Sequence, residues 1–333
     1  MKGVVLPAYQ KNLIRALVSL RLEEKTLPVP DENEVVIKMY AAPVNPSDIA
    51  FMQGTYNIVK TLPSVMGFEG AGTVVDAGKN ARSFIGKMVS CFVQEDRDGT
   101  WADYVVTRKN NLIVLDEAME PDQAACFAVN PFTAMGLMEE LDCRKGDAVI
   151  LTAAGGQVPA LFRLLAKEKG VETINIVRKE SVLEKLKAEG VSHVLLQTEE
   201  QLPEKLTELA KSFRLCGAID AVSGPLAGTI FNVLPERAAF LLYGGLSNMP
   251  ASGFDNLKVI FNKNQIKGFN LPEWFEQKRQ TGEFDALSQF LQQLFIRGTL
   301  KTEIRKKVKL EDTVKGIREY IGEMSGGKIL LQP

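Results

Sequence analysis

Over the first 122 residues, apolar and polar positions alternate in short runs broken by Gly, Pro and Asn, as at 34–40, 70–75 and 87–93. Alternation with a period of two and turns this close together predicts an all-β region. The pattern changes at Asp122, a residue type that caps helices. It can start a helix over 123–129, and helical periodicity continues over 131–141. Further on, apolar runs of strand length (148–151, 173–177, 193–196, 217–221, 238–243) alternate with amphipathic helices (159–169, 181–189, 204–212, 226–234). Such alternation predicts a doubly wound parallel sheet. Beyond Gly268 the pattern is mixed, with a helix over 283–298 and closing strands at 305–309 and 328–331. The simplest layout is a β domain made of 1–122 and 269–333, interrupted by an α/β domain over 123–268.

The first βαβ unit of the α/β domain carries the strongest chemical signal. Its first strand runs into a turn of small residues, Ala154-Gly155-Gly156-Gln157-Val158, which opens a helix. A dinucleotide pyrophosphate sits at such a helix N-terminus. After the second strand, where NAD sites place an acid on the ribose 2′-hydroxyl, the chain has Arg178 and Lys179. Two cations there suit a 2′-phosphate, so the expected cofactor is NADPH. Pro159 falls on the third glycine position. Proline is tolerated in the first turn of a helix but removes one donor to the phosphates. The turn alone is also compatible with an α/β unit that binds nothing.

The chain has 333 residues, 45% hydrophobic and 24% charged, and a formal net charge of −1. That length accommodates two cores. The balanced charge offers no basic excess for a nucleic-acid partner. The apolar runs are too short to span a membrane, and the start of the chain reads as a first strand rather than a signal peptide. A cytoplasmic address is the expectation. The four cysteines (Cys91, Cys126, Cys143 and Cys216) are widely spaced, with no C-x-x-C pair. They read as small core hydrophobes, and no metal site is expected. The one histidine, His193, begins an apolar run and reads as a packed structural residue.

With these features in view, the whole chain resembles the medium-chain dehydrogenase/reductase superfamily in its zinc-free branch. The resemblance is carried by Ala41-Ala42-Pro43-Val44-Asn45-Pro46-Ser47-Asp48, by Met66-Gly67-Phe68-Glu69-Gly70-Ala71-Gly72 (a Gly-His-Glu-Gly-x-Gly signature) and by Gly244-Gly245. It implies a GroES-like β domain joined to a Rossmann doubly wound parallel sheet, with substrate and cofactor between them. The zinc-dependent members carry a Cys near Asn45 and a His at the Phe68 position. Both are absent here.

Two subfamilies within that branch compete, quinone oxidoreductases and mitochondrial-type 2-enoyl thioester reductases. Four segments resemble the second: Gln53-Gly54-Thr55-Tyr56 with Leu62-Pro63, Asn130-Pro131-Phe132-Thr133-Ala134, Thr173–Arg178, and Gly268-Phe269-Asn270-Leu271-Pro272-Glu273-Trp274. The resemblance implies Tyr56 as proton donor, with Asn45 orienting substrate or nicotinamide ribose. It places Thr133, Ser223, Tyr243, Gly244, Gly245, Phe269 and Leu271 at the cofactor, and Phe68 and Trp274 at the substrate pocket. Lys328 would assist Arg178 and Lys179 at the phosphates, although it also reads as a solvated surface residue. The branch commonly forms homodimers through the exposed Rossmann edge strand.

The chemistry agrees with the loss of zinc ligands. Reduction of a conjugated C=C bond needs hydride at the β-carbon, a proton at the α-carbon and hydrogen-bond donors for the developing oxyanion. Alcohol oxidation leans more heavily on a Lewis acid. The expected activity is NADPH-dependent reduction of a trans-2-enoyl thioester. Quinone or enone reduction is the alternative, and an NADPH-binding protein without turnover is a third reading, kept by Pro159. A small-molecule substrate follows from any of these except the last.

Overall fold

The computed structural model describes all residues from Met1 to Pro333. It divides into two compact units, Met1–Asn130 with Ala286–Pro333, and Pro131–Asp285.

The first unit is built on a seven-stranded sheet. Ile304–Lys309, Lys328–Gln332, Glu34–Pro43, Glu69–Ala77, Met88–Phe92 and Leu112–Val114 lie in that order, and Tyr104–Arg108 pairs with Glu34–Pro43. A smaller sheet joins Arg21–Glu24, Lys2–Leu6 and Ser64–Val65. The period-two pattern has its physical cause here: Val35, Ile37 and Met39 point one way, into a core with Val74, Val89 and Val105. Gly72 has to be glycine, because a Cβ there would come within 2.1 Å of the Lys38 carbonyl oxygen on the paired strand. The last strand pairs antiparallel with the first long one, Leu330 opposite Pro43 and Leu331 opposite Ala42. The chain therefore returns beside the segment that leads into Asn45.

The second unit holds a six-stranded parallel sheet. Its order is Val194–Leu196, Glu172–Val177, Asp147–Leu151, Arg214–Asp220, Ala239–Leu242, Gln265–Gly268. In sequence order of the strands this is 3-2-1-4-5-6, the Rossmann arrangement, with its switch point between Asp147–Leu151 and Arg214–Asp220. All five residues of Asp147–Leu151 are buried, as a parallel strand covered on both faces requires. The helix Gln157–Lys169 buries Leu161, Phe162, Leu165 and Ala166 on one stripe and stops at Gly170, which takes the left-handed conformation at φ 67°. Each large apolar side chain on that stripe contributes about 1.5–3 kcal/mol on burial.

Three expectations change. The units divide after Asn130 and after Asp285, not at 122 and 268. Helix Pro121–Ala125 stays with the first unit because Gln123 exchanges two hydrogen bonds with the Thr302 backbone, at 2.7 and 3.1 Å. Helix Leu271–Gln280 belongs to the second because Phe275 packs edge-on against Phe132 and Phe284. Cys143 and Cys216 form a disulfide across 73 residues and are not isolated core hydrophobes; Cys91 and Cys126 are buried and free. Lys328, read as solvated, is only 2% exposed. His193 lies just before a strand, its ring edge-on to Phe213.

Candidate active site

In the first unit, the strand Glu34–Pro43 delivers the chain to Asn45, which caps the helix Pro46–Met52. The Asn45 backbone N–H donates to Asp48 Oδ2 at 2.7 Å, the reciprocal half of a capping box. The Asn45 side chain faces the other way. Its Nδ2 donates to Glu69 Oε2 at 2.8 Å, and its Oδ1 accepts from Lys328 Nζ. The second Glu69 oxygen accepts from the Val129 N–H at 2.8 Å. An ammonium and two carboxylates are thus drawn out of water around one amide. Burial lowers the Lys328 pKa, against the pull of Glu69, and raises that of Glu69. Burial pushes Asp48 up to about 7, partly offset by the Asn45 N–H. Asp48 Oδ1 has no hydrogen-bond partner.

This arrangement revises two roles. Asn45 is held by its neighbours on both amide atoms, so it acts as a keystone between Glu69 and Lys328. Lys328 is not a solvated cation helping Arg178 and Lys179 at phosphates, because its ammonium is committed to Asn45 and lies 5.9 Å from the Tyr320 ring. Glu69 and Asp48 were not singled out from the sequence. Glu69 stood inside the Gly-Phe-Glu-Gly motif, and its burial was the missing information.

Tyr56 sits half-buried in the loop between Pro46–Met52 and Ser64–Val65. Its oxygen accepts from Gln94 Nε2 at 3.2 Å, and its own proton makes no bond within the protein. Burial raises its pKa, opposed by the Gln94 contact and aided by Asp48. The phenol is therefore protonated at neutral pH with its proton uncommitted. Phe68, expected at the pocket, is 1% exposed; its ring supports Tyr56 (centroids 5.6 Å apart) and packs on Phe51. Lys60, unnoticed in the sequence, is also buried, with Nζ 5.3 Å from the Phe68 ring. Burial lowers it to about 8.

In the second unit, the predicted cofactor residues gather at the carboxyl ends of the central strands. Asp220 organises them: its carboxylate accepts from the Thr152 hydroxyl at 2.6 Å and from the Val222 and Ser223 N–H groups at 2.9 Å. Ser223 in turn donates to the Gly244 carbonyl at 3.0 Å. Thr152 just before the turn, Ser223, Tyr243 and Gly244 are thereby tied together around Asp220. The Gly155 and Val158 N–H groups have no protein acceptor, and the Tyr243 hydroxyl is buried without a partner. Arg178 is exposed and makes no ion pair, and exposed Lys179 follows it at the N-cap of Glu180–Ala188. Thr133 lies buried in the helix Asn130–Glu140. Phe269 N–H donates to the Leu242 carbonyl, and Leu271 begins the helix Leu271–Gln280. Trp274, expected to wall a channel, is 4% exposed, packed among Phe269, Phe275 and the backbone of Gly136.

No three His, Cys, Asp or Glu side chains are grouped to hold a metal ion. No helix is long and apolar enough to cross a membrane.

Comparisons with known proteins agree with this geometry. Residues 31–117 match the alcohol dehydrogenase GroES-like domain. The chain is 31% identical over 312 residues to a mitochondrial enoyl-[acyl-carrier-protein] reductase of Xenopus tropicalis, covering 90% of this chain and 87% of that one. The chain belongs to the medium-chain dehydrogenase/reductase superfamily. The human mitochondrial enoyl-[acyl-carrier-protein] reductase is 30% identical over 84% of this chain and 76% of its own length. Among solved structures, one from Mesorhizobium loti described as an NADPH:quinone reductase superposes with a TM-score of 0.91 at 31% identity, over 100% of this chain and 98% of that one.

Proposed function

We propose that this superfamily member is an NADPH-dependent oxidoreductase that reduces the conjugated C=C bond of a trans-2-enoyl thioester. The observation that carries the reading is Tyr56, a phenol whose oxygen is held by Gln94 and whose proton is uncommitted. The dinucleotide fits the second unit: unbonded N–H groups in the turn suit a pyrophosphate, and the partnerless Tyr243 hydroxyl lies near Gly244 and Gly245. Arg178 and Lys179 suit a 2′-phosphate.

Bound NADPH would supply hydride for the β-carbon. Tyr56 Oη then gives its proton to the α-carbon, and the raised phenol pKa keeps that proton in place until charge develops in the acceptor. Phe68 holds the Tyr56 ring, and Gln94 fixes the direction of its oxygen.

NADPH:quinone reduction is the second reading, supported by the likeness to the Mesorhizobium loti structure. The experiment is NADPH oxidation with a medium-chain trans-2-enoyl-CoA and with simple quinones, for the parent and Tyr56→Phe. An enoyl reductase prefers the thioester and loses about 10²–10⁴-fold in kcat without the phenol. Faster turnover with quinones, indifferent to Tyr56→Phe, moves the assignment to quinone reduction. NADPH binding with no turnover by either form leaves a cofactor-binding protein.

A homodimer is part of the proposal. Its support is the edge strand Gln265–Gly268, exposed at all four residues, with Phe261 69% exposed just before it. An unpaired edge with apolar neighbours is a surface for a second copy. The cytoplasm is the proposed compartment.

A further inference from the structure

The side chain of Arg163 is half-buried in the second unit without a carboxylate in ion-pair contact. It comes from the middle of the helix Gln157–Lys169, one turn after Pro159 on the same face. Helical side chains lean toward the N-terminus, and Arg163 follows that lean back to the phosphate turn. Its Nη1 donates to the Ala154 carbonyl at 2.6 Å and to Asn175 Oδ1 at 3.3 Å. Asn175 is itself oriented, with Nδ2 donating to the Thr173 and Ser192 carbonyls. Burial lowers Arg163 to about 10, leaving it charged at neutral pH.

Ala154 precedes the N-cap Gly156, so the Val158 N–H is one of the unpaired donors of the helix start, and the first helical bond runs from the Ala160 N–H to the Gly156 carbonyl. Arg163 takes the Ala154 carbonyl, which no backbone N–H uses. The Ala154–Gly155 peptide is trans and planar, so its C=O and N–H point in opposite directions. A charge-assisted bond on the oxygen fixes the direction of the N–H on the other side. The Ala154 N–H is anchored as well, to the Ile176 carbonyl at 3.0 Å.

We propose that Arg163 is a positioning residue for the dinucleotide: by holding the Ala154 carbonyl it turns the Gly155 N–H outward to the pyrophosphate, alongside the Val158 N–H that the helix start leaves unpaired. It compensates for Pro159, which brings no N–H to the turn. The assignment rests on NADPH as cofactor and is independent of the acceptor reduced.

The test is the Kd of NADPH and of NADH, with the melting temperature, for the parent and for Arg163→Met, Arg163→Lys and Asn175→Ala. Losing a hydrogen bond to a charged donor weakens both dinucleotides about tenfold or more in Arg163→Met. The NADPH-to-NADH ratio stays unchanged, since the turn serves both. Arg163→Lys, which keeps a charged donor, recovers part of the affinity. Asn175→Ala, which leaves the Ala154 contact, lowers the melting temperature with affinity retained. A melting-temperature loss in Arg163→Met with unchanged Kd makes Arg163 merely structural and overturns the proposal. Loss confined to NADPH overturns it too, since Arg163 would then touch the 2′-phosphate. Equal weakening by Asn175→Ala would assign the effect to general packing. If the parent binds neither dinucleotide, the cofactor reading itself fails, whereas binding without enoyl turnover leaves this assignment standing.

Discussion

Arg178 and Lys179 are two adjacent cations, proposed to meet a single phosphate. Both are exposed, and Arg178 has no ion pair to give up when an anion arrives. The double variant Arg178→Ala, Lys179→Ala is expected to weaken NADPH roughly 10–100-fold, as loss of charge-assisted bonds does, and to leave NADH within about threefold. Titration calorimetry with both cofactors checks this, and equal losses would place the pair away from the 2′-position. Such residues could be singled out because the reading depends on position after a strand, which a pattern reveals. Lys328 was not. Lysines are almost never fully buried, so a Lys before an apolar run reads as surface. Only three-dimensional placement beside Asn45 and Glu69 shows otherwise. Phe68 and Trp274, read as pocket walls from motif adjacency, both have interior rings.

Strands of the Rossmann sheet that are covered on both faces announced themselves as apolar runs, and Asp147–Leu151 begins one residue before its expected start. The outermost strand did not. Gln265-Ile266-Lys267-Gly268 is exposed at all four residues and has no apolar face, and its pairing with Ala239–Leu242 is the sole evidence that it is a strand. The Cys143–Cys216 bridge was equally invisible, since a 73-residue gap carries no spacing signal. The expected start of the fourth strand at 217 was late because the register shifts between Leu215 and Gly217, where Cys216 is the extra residue. At this scale the dimer can be tested. Ile266→Lys places a charge on the edge, and light scattering is expected to read a monomer where the parent reads a dimer. A parent that is already monomeric would remove the edge strand from the assembly.

For the molecule as a whole, the buried polar cluster couples stability to pH. Asp48 titrates at about 7 in the folded chain because it is buried, with Glu69 and Lys328 facing it, against about 4 for an ordinary aspartate. Between those values the folded chain keeps a proton that the unfolded chain has released. Its contribution is therefore complete below about pH 4, falls as pH rises, and is gone above about pH 7. Asp48→Asn removes the titration, so its stability relative to the parent should increase from pH 5 to pH 8 in urea unfolding. A difference that does not change with pH would mean that Asp48 is ionised throughout.

Phe132, at the beginning of the second unit, stacks on Phe284, at its end, with ring centroids 5.7 Å apart and planes within 10°. A chain segment whose two ends already touch needs little loop entropy to be joined into its host, and as little to be detached. Pro131–Asp285 is thus a cassette clipped shut by two aromatic rings, and it is expected to fold as a freestanding polypeptide. Made alone, it is expected to melt cooperatively and to protect its Gly155 turn from proteolysis when NADPH is added. A relative's cassette ligated at the same two points would then carry its own dinucleotide preference into this β scaffold, leaving Tyr56 of the host untouched.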